Sequence, residues 1–212
     1  MKDWPADHPK AKLMARKRAA ILDAARETFL RAGYEGTSME GIAANAGVSI
    51  MTLYRHAKGK DDLFATVIAS VCHPADQAER ARIEESLQKS LEEVLILVGL
   101  MFQARVASPT TTALFRAVMA ETTRHPHLAE LAYRGLIGTH EDALDAFLSQ
   151  RVETATLDAG QRRKLSAAFL NRLVGIDSLR VLLGLEGASE AERLARAKSA
   201  TAELLCALRA CQ

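Results

Sequence analysis

The sequence of residues 37–60 is TSMEGIAANAGVSIMTLYRHAKGK, and this stretch decides the fold. Thr37 and Glu40 have the spacing of a capping box, which predicts that a short helix starts at Thr37. Gly47 can turn the chain at positive φ, and Ser49 after the turn predicts the N-cap of another short helix. Two short helices joined by a glycine turn are typical of units that place their second helix in the DNA major groove.

The segments on either side of this stretch also predict helices. An apolar stripe before it consists of Ile21, Ala25, Phe29 and Ala32. Gly33 predicts the end of that helix, because glycine is the usual C-terminal cap. After the stretch, Asp61 and Asp62 complement the positive end of a helix dipole, which predicts a helix that starts at Lys60.

Helical periodicity continues through the rest of the chain, with breaks that coincide with Pro or Gly. The predicted helices cover residues 16–32, 37–45, 49–56, 60–72, 86–106, 109–124, 127–152, 161–185 and 189–210. Only 5% of the residues are aromatic and there are 5 prolines, a composition that favours helices over β-sandwiches or barrels. We therefore predict an all-α protein of about nine helices.

The charge is divided unevenly along the chain. Residues 1–60 carry 11 Lys and Arg against 6 Asp and Glu, whereas residues 61–212 carry 17 against 20. The N-terminal part is therefore the candidate surface for a polyanion. The sequence of residues 1–17 predicts a mobile basic arm. Such an arm could lie in a DNA minor groove, but the sequence favours a solvated tail.

The sequence predicts a cytoplasmic protein that does not enter a membrane. The longest uncharged apolar run, residues 94–102, is much shorter than the ~20 residues of a membrane span, and no signal-like segment precedes it. Cys72, Cys206 and Cys211 are odd in number and lack the spacing of metal ligands, so we expect reduced, buried thiols.

The third predicted helix has one apolar face and one face that suits nucleic acid. Leu53 is expected to point into the core together with Val48. The outward or flanking positions are Met51, Thr52, Tyr54 and Arg55. Groups that hydrogen-bond or neutralise phosphate lie at one end: Tyr54, His56 and Lys60. A generic helical hairpin with a basic surface remains the alternative at this point.

Several spaced motifs resemble the N-terminal domain of TetR/AcrR-type transcriptional regulators. They are Gly33-Tyr34, residues 37–43 (TSMEGIA), residues 46–49 (AGVS), residues 52–56 (TLYRH) and residues 60–64 (KDDLF). The similarity extends from about Arg18 to Phe64. Farther along, residues 121–126 (ETTRHP) are similar to an E-x-x-x-x-P segment in the effector domains of some members.

The resemblance implies a homodimeric repressor that binds a palindromic DNA operator until a small-molecule effector enters its C-terminal domain. It implies a helix-turn-helix DNA-binding domain over residues 1–60 and an effector-binding and dimerisation domain over residues 61–212. Ile50 and Met51 would approach base edges, and Thr37, Tyr54, His56 and Lys60 would contact phosphate. The complete predicted DNA-contact set is Thr37, Ser38, Ser49, Ile50, Met51, Thr52, Tyr54, Arg55, His56 and Lys60.

Two positions depart from the pattern of many members of this family. Ile50-Met51 stands where many have a Lys-Gly-like pair, and Ala57 stands where many have an aromatic residue. Ile and Met can contact a thymine methyl but cannot make the bidentate hydrogen bonds that Arg makes to guanine. We therefore expect a preference for thymine at one or two operator positions, with Arg55 as the best candidate for a polar base contact.

The C-terminal residues supply candidates for an effector cavity and a dimer interface, although the sequence favours a plain core as the explanation of the same side chains. Cavity candidates are Met101, Phe102, Arg105, Phe115, Met119, Tyr133 and Arg172. Further polar candidates are His127, His140, Asn171 and Asp177. Two stripes with heptad-like steps supply interface candidates: Leu165, Phe169, Ile176, Leu183, Thr201, Leu204 and Leu208. An apolar or amphipathic effector suits such a cavity.

The sequence does not favour an enzyme, and it predicts neither a cofactor nor a metal. A helical di-iron enzyme needs Glu-x-x-His on two helices, and none of the six histidines has Glu three residues before it. Nucleotide-binding and hydrolase motifs are also absent. His125 and His127 form a possible metal pair beside Glu121 and Glu130, but proline separates them. A protein-binding helical adaptor is the other alternative.

Overall fold

The computed structural model describes residues 8–72, 85 and 88–210. The α-helices in this part of the chain are α1 (Pro9–Ala32), α2 (Met39–Asn45), α3 (Ile50–Tyr54), α4 (Lys60–Cys72), α5 (Leu91–Val106), α6 (Pro109–Glu121), α7 (His127–Tyr133), α8 (Thr139–Ser149), α9 (Ala159–Val174), α10 (Asp177–Leu182) and α11 (Glu190–Ala210). A π-helical turn, Arg134–Gly138, joins α7 to α8, and a 3-10 turn, Val152–Thr154, follows α8. The fold is all-α, as predicted.

Helix α1 begins earlier than predicted. His8 caps it by accepting from the Lys10 N–H, and Pro9 occupies the first helical position, where its missing N–H costs nothing. The basic segment expected to be a mobile arm is therefore helical from residue 9 onward, and residues 1–7 lie outside the described part. The His8-Pro9 pair was the signal for this start. Residues 9–20 are mostly exposed and carry the basic side chains of the segment.

The first compact unit consists of residues 1–70 and 113–135 and therefore contains α1 to α3, most of α4, most of α6 and α7. The predicted stripe of α1 is buried at Ile21, Ala25 and Phe29. The Phe29 ring meets the Phe64 ring of α4 edge-on, with 4.9 Å between centroids. Gly33 ends α1 at φ +70°, as predicted. This core holds α2 and α3 in place.

The second compact unit consists of residues 71–112 and 136–212. Helices α5, α9 and α11 pack together around an apolar core that also receives residues of α8. Gly99 of α5 permits the close approach: a Cβ there would lie 3.2 Å from the Leu173 side chain and 3.3 Å from Ala197. A larger residue at position 99 would push α5 away from α9 and α11.

Two helices predicted to be continuous are divided. The predicted helix 161–185 breaks at Gly175, whose φ of +55° separates α9 from α10, and the Gly in the sequence was the available signal. The predicted helix 127–152 contains the π-helical turn. The predicted bounds of α4 are confirmed. Cys206 is exposed, so the prediction of a buried thiol is wrong there; the other cysteine side chains lie outside the described part.

Within the described residues, no single helix has the length and apolar character needed to span a membrane. Only the bent pair of α5 and α6, taken together, reaches the required length and composition.

Candidate nucleic-acid interface and associated sites

Ser38, rather than Thr37, caps α2. The Ser38 hydroxyl oxygen accepts from the Gly41 N–H at 3.0 Å, and the helix begins at Met39. The predicted Thr37–Glu40 capping box is therefore wrong. Thr37 is buried, and its hydroxyl donates to the Gly33 carbonyl oxygen at 2.6 Å, so it fixes the turn after α1 instead of facing the surface.

The turn between α2 and α3 follows the sequence prediction. Gly47 has φ +63°, with open space where a Cβ would lie. Ser49 is the N-cap of α3, and its hydroxyl oxygen accepts from the Thr52 N–H at 3.2 Å. Helix α3 is short and ends at Tyr54, two residues before the predicted end.

Helix α3 presents large side chains to solvent while its inner face is buried. Leu53 is fully buried, as predicted, whereas Met51 is 70% exposed and Tyr54 is 47% exposed. Thr52 is buried, which corrects the expectation that it faces outward or flanks the surface. Its hydroxyl oxygen accepts from the exposed Arg55 guanidinium at 3.0 Å, so Thr52 positions Arg55. The other members of the predicted set are Ile50, half-buried, and Ser38 and Ser49, both exposed.

His56 follows α3 in a strongly basic environment. Burial lowers the pKa of the His56 imidazole below its usual value, and the positive charges of Arg18, Arg55 and Lys17 lower it further. Arg18 and Lys17 belong to the exposed start of α1. The free protein therefore disfavours the protonated imidazole, and an approaching anion would favour it.

Lys60 is more constrained than the sequence indicated. Its ammonium donates to the Tyr34 carbonyl oxygen at 2.9 Å and to the Thr37 carbonyl oxygen at 3.1 Å. It also lies 4.3 Å from the centroid of the Tyr34 ring. Two of its three N–H groups thus hold the turn between α1 and α2, and one remains for a phosphate.

A cluster of histidines and carboxylates surrounds the same turn. The His125 Nε2 atom lies 2.5 Å from Glu35 Oε2, and this hydrogen bond lowers the pKa of the Glu35 carboxyl. Glu121 Oε2 is buried without a hydrogen-bond partner. One donor atom from each of Glu35, Glu121 and His125 lies within 4.8 Å of the others. Sequence spacing found Glu121 and His125 but not Glu35, which is 90 residues away from His125.

His127 has a separate partner. Its Nε2 atom lies 3.3 Å from Asp61 Oδ1, and the Tyr34 hydroxyl donates to the same carboxylate oxygen. His125 and His127 therefore face two different carboxylates, Glu35 in the turn after α1 and Asp61 at the start of α4.

The second compact unit contains a cavity of about 260 Å³. Its wall is mixed. The larger apolar side chains are Phe102, Val106, Leu173, Val174, Val181 and Leu185, and the polar ones are Gln103, Asp177, Ser178, Arg193 and Arg196. Asp177 and Arg196, which also line it, form an ion pair with each other, and the Ser178 hydroxyl donates to the Val174 carbonyl oxygen. The wall therefore suits an apolar or amphipathic molecule.

The structure places the predicted cavity residues in different surroundings. Phe102 and the polar candidate Asp177 line the cavity. Arg172 is exposed, pairs with Glu203 at 2.6 Å and does not line this cavity. Met101 and Arg105 are half-buried in the second unit. Phe115 is half-buried, and Met119 and Tyr133 are exposed, in the first unit.

The predicted interface residues fall into three groups. Phe169, Thr201, Leu204 and Leu208 are buried in the core of the second unit. Leu165 is half-buried. Ile176 is 73% exposed and Leu183 is 70% exposed, and they lie beside two further exposed side chains, Leu179 and Leu185. The exposed residues form an apolar segment at and around α10.

Two family models match most of the chain. The model of bacterial regulatory proteins of the tetR family matches residues 21–67, and that of the C-terminal domain of AefR-like transcriptional repressors matches residues 93–209. The HTH-type transcriptional regulator UidR of Escherichia coli K12 is 28% identical over 184 residues, which are 86% of each chain.

Solved structures have the same fold. A TetR-family transcriptional regulator from Mesorhizobium loti superimposes with a TM-score of 0.67 at 23% identity, covering 92% of this chain and 97% of the other. The Flavonoid-responsive Regulator FrrA superimposes with a TM-score of 0.65 at 26% identity, covering 91% of this chain and 97% of the other.

Proposed function

The chain belongs to the TetR family of bacterial transcriptional regulators, and we propose that it is a homodimeric repressor that a small molecule releases from a palindromic operator. Family membership points to a regulator rather than an enzyme. The DNA-binding part would comprise residues 1–60 and the effector-binding and dimerisation part residues 61–212. The second family model describes repressors, which supports repression rather than activation.

The exposed face of α3 carries this proposal. Leu53 is buried, but Met51 and Tyr54 remain in solvent, although burial of such large apolar groups would lower the free energy. A DNA groove supplies that burial. The basic side chains near His56, from Arg18, Arg55 and Lys17, supply the counter-charge for phosphates.

The proposed DNA contacts are of two kinds: contacts to phosphates, which position the protein, and contacts to bases, which recognise the sequence. Tyr54, His56 and the exposed Ser38 hydroxyl are suited to phosphate oxygens. Met51 is suited to a thymine methyl, and Arg55, held by Thr52, is suited to a base edge. Thr37, expected to contact phosphate, instead supports the turn after α1. We propose that the neighbouring Ser38 hydroxyl contacts the phosphate in its place.

Selection of duplex DNA from a fragment library of the source genome tests the DNA-binding proposal, followed by titration of the enriched duplex at several salt concentrations. We expect a palindrome with half-sites about one helical turn apart and a steep dependence of affinity on salt. Weak, salt-sensitive binding without an enriched sequence would reduce the N-terminal part to a generic basic surface.

We place part of the homodimer interface at the exposed apolar segment around α10. Ile176, Leu179 and Leu183 are exposed apolar side chains whose spacing of three and four residues puts them on one helix face, and exposed apolar surface of this kind marks protein contacts. Leu183→Glu is expected to convert a dimer to a monomer in sedimentation equilibrium. Val152→Glu is the matched control, because Val152 is 83% exposed and lies outside this segment. A dimer that tolerates Leu183→Glu as well as the control would contradict this assignment.

The cavity of the second unit is our proposed effector site. FrrA is named for its response to flavonoids, and a cavity lined by Phe102 and aliphatic side chains suits a small amphipathic aromatic molecule of that general kind. Ala107 lines the cavity and Ala104, on the same helical segment, is exposed. Ala107→Trp should abolish release from operator DNA by an active compound, whereas Ala104→Trp should retain it. Equal release of DNA by both variants would show that the effector binds outside this cavity.

A further inference from the structure

The cluster of Glu35, Glu121 and His125 is not used by the proposed DNA contacts or by the cavity. All three residues belong to the first compact unit. Glu121 is the last residue of α6 and His125 lies one helical turn later, so the two side chains lie on the same side of the chain. Glu35 joins them from the turn after α1.

The Glu121 carboxylate has an oxygen without a compensating partner. Its Oε2 atom is buried and accepts no hydrogen bond. A buried carboxylate oxygen without a partner is unfavourable unless a cation or a donor compensates it. His125 is engaged with Glu35, and the Lys60 ammonium donates to two backbone carbonyls. The cluster therefore contains two carboxylates and one imidazole, with the positive charges of Lys60 and Arg124 acting on Glu35. A divalent cation would supply the partner that Glu121 Oε2 lacks.

The chemistry and geometry of the donors fit a transition metal. One imidazole nitrogen and two carboxylate oxygens suit Zn²⁺, whose catalytic-type sites often have three protein ligands and one water. Two ligands of a tetrahedral Zn²⁺ ion lie about 3.3 Å apart. The three donor atoms already lie within 4.8 Å, and the Glu35 side chain is 66% exposed, so a rotation of Glu35 can open the 2.5 Å contact to His125.

The Glu121 carboxylate lies close to Gly33. A Cβ at Gly33 would lie 2.9 Å from Glu121 Oε1, so a side chain at this position would require the carboxylate to shift. The Tyr34 ring packs on His125, with 5.2 Å between ring centroids, and limits its movement. The His125 imidazole is thus restrained before any ion binds.

We propose that Glu35, Glu121 and His125 form a binding site for a divalent transition-metal ion, with Zn²⁺ as the best-matched ion. A bound ion would join the end of α6 to the turn that precedes α2. That turn contains Thr37 and is held by Lys60, so the ion would stabilise the support of the DNA-contact helices.

Isothermal titration of untagged, metal-free protein with Zn²⁺ alone tests the site. We expect one ion per chain, no comparable binding of Mg²⁺, and a higher melting temperature with Zn²⁺. Loss of a donor should weaken Zn²⁺ affinity by more than about tenfold, because even residues that only support metal ligands cost 10–100-fold. The variants are Glu35→Gln, Glu121→Gln and His125→Ala.

His127→Asn is the matched control, since this histidine is in the same segment but pairs with Asp61. It should bind Zn²⁺ like the parent protein. Circular dichroism of the metal-free proteins checks folding, and Glu35→Gln, at an exposed position, keeps the test valid if Glu121→Gln unfolds. Absence of Zn²⁺ binding by the parent protein, unchanged binding by His125→Ala, or equal loss in His127→Asn would each overturn the proposal. None of these results depends on DNA binding.

Discussion

Truncation of Met51 to alanine should remove a preference for thymine without affecting the fold. Full burial of a Met side chain is worth about 1.5–3 kcal/mol, and Met51 is 70% exposed in the free protein. Covering the exposed part against a thymine methyl is therefore worth at most about 1–2 kcal/mol for each half-site, or roughly 5–30-fold in affinity. The free energy of unfolding should change by less than about 0.5 kcal/mol, as for other exposed sites.

Replacement of individual operator thymines by deoxyuridine isolates this contact, because it removes only the methyl group. At one or two positions of each half-site, the parent protein should lose affinity on this replacement, and Met51→Ala should not. Leu30→Ala, at an exposed apolar position of α1, is the control and should respond like the parent. The reasoning fails if deoxyuridine costs Met51→Ala as much as it costs the parent at every position, or if it costs neither protein anything.

Four further predictions concern the same unit. Operator affinity should rise as the pH falls from 7 to 6, because burial lowers the His56 pKa in the free protein and phosphates favour the imidazolium; His56→Gln should flatten this profile in filter-binding titrations. The same shift predicts that the free protein loses stability as the pH falls below about 6.5, where the unfolded chain takes up the proton first. Lys60→Gln should lower the free energy of urea unfolding by about 1–3 kcal/mol, since two carbonyl oxygens lose a charged donor, whereas Lys58→Gln should not. Gly33→Ala should be more destabilising than Gly47→Ala, because both have positive φ but only at position 33 does the Cβ meet a carboxylate oxygen; equal costs in urea unfolding would contradict the close approach.

Local sequence patterns predicted the helices well where one signal dominates. The Ser49 cap, the Gly33 stop and the start of α4 at Lys60 each depend on a single residue type with a clear backbone preference. Between Thr37 and Ser38 the choice was ambiguous, since both can cap a helix. The Gly33 carbonyl oxygen decided it, because it accepts the Thr37 hydroxyl and leaves Ser38 for the cap.

Contacts between distant segments could not be inferred in the same way. The periodicity of residues 165–183 passes through Gly175, and only the packed structure separates the buried Phe169 from the exposed Ile176. The pairing of Glu35 with His125 likewise joins residues from different helical segments. The sequence shows which side chains could bind a metal ion, but not which of them come together in the folded protein.

The burial of Thr52 explains how a short helix can present a defined cation to DNA. The Ser49 and Thr52 hydroxyls lie 2.9 Å apart, and Thr52 in turn accepts from Arg55. Three residues at successive helical turns are thus joined by hydrogen bonds along one side of α3. Ordering a long side chain on binding costs about 0.5–1.5 kcal/mol, and a guanidinium that is already held avoids part of that cost. A residue first expected to face DNA therefore contributes by restricting its neighbour, which makes Arg55 better suited to reading a base than an unsupported lysine would be.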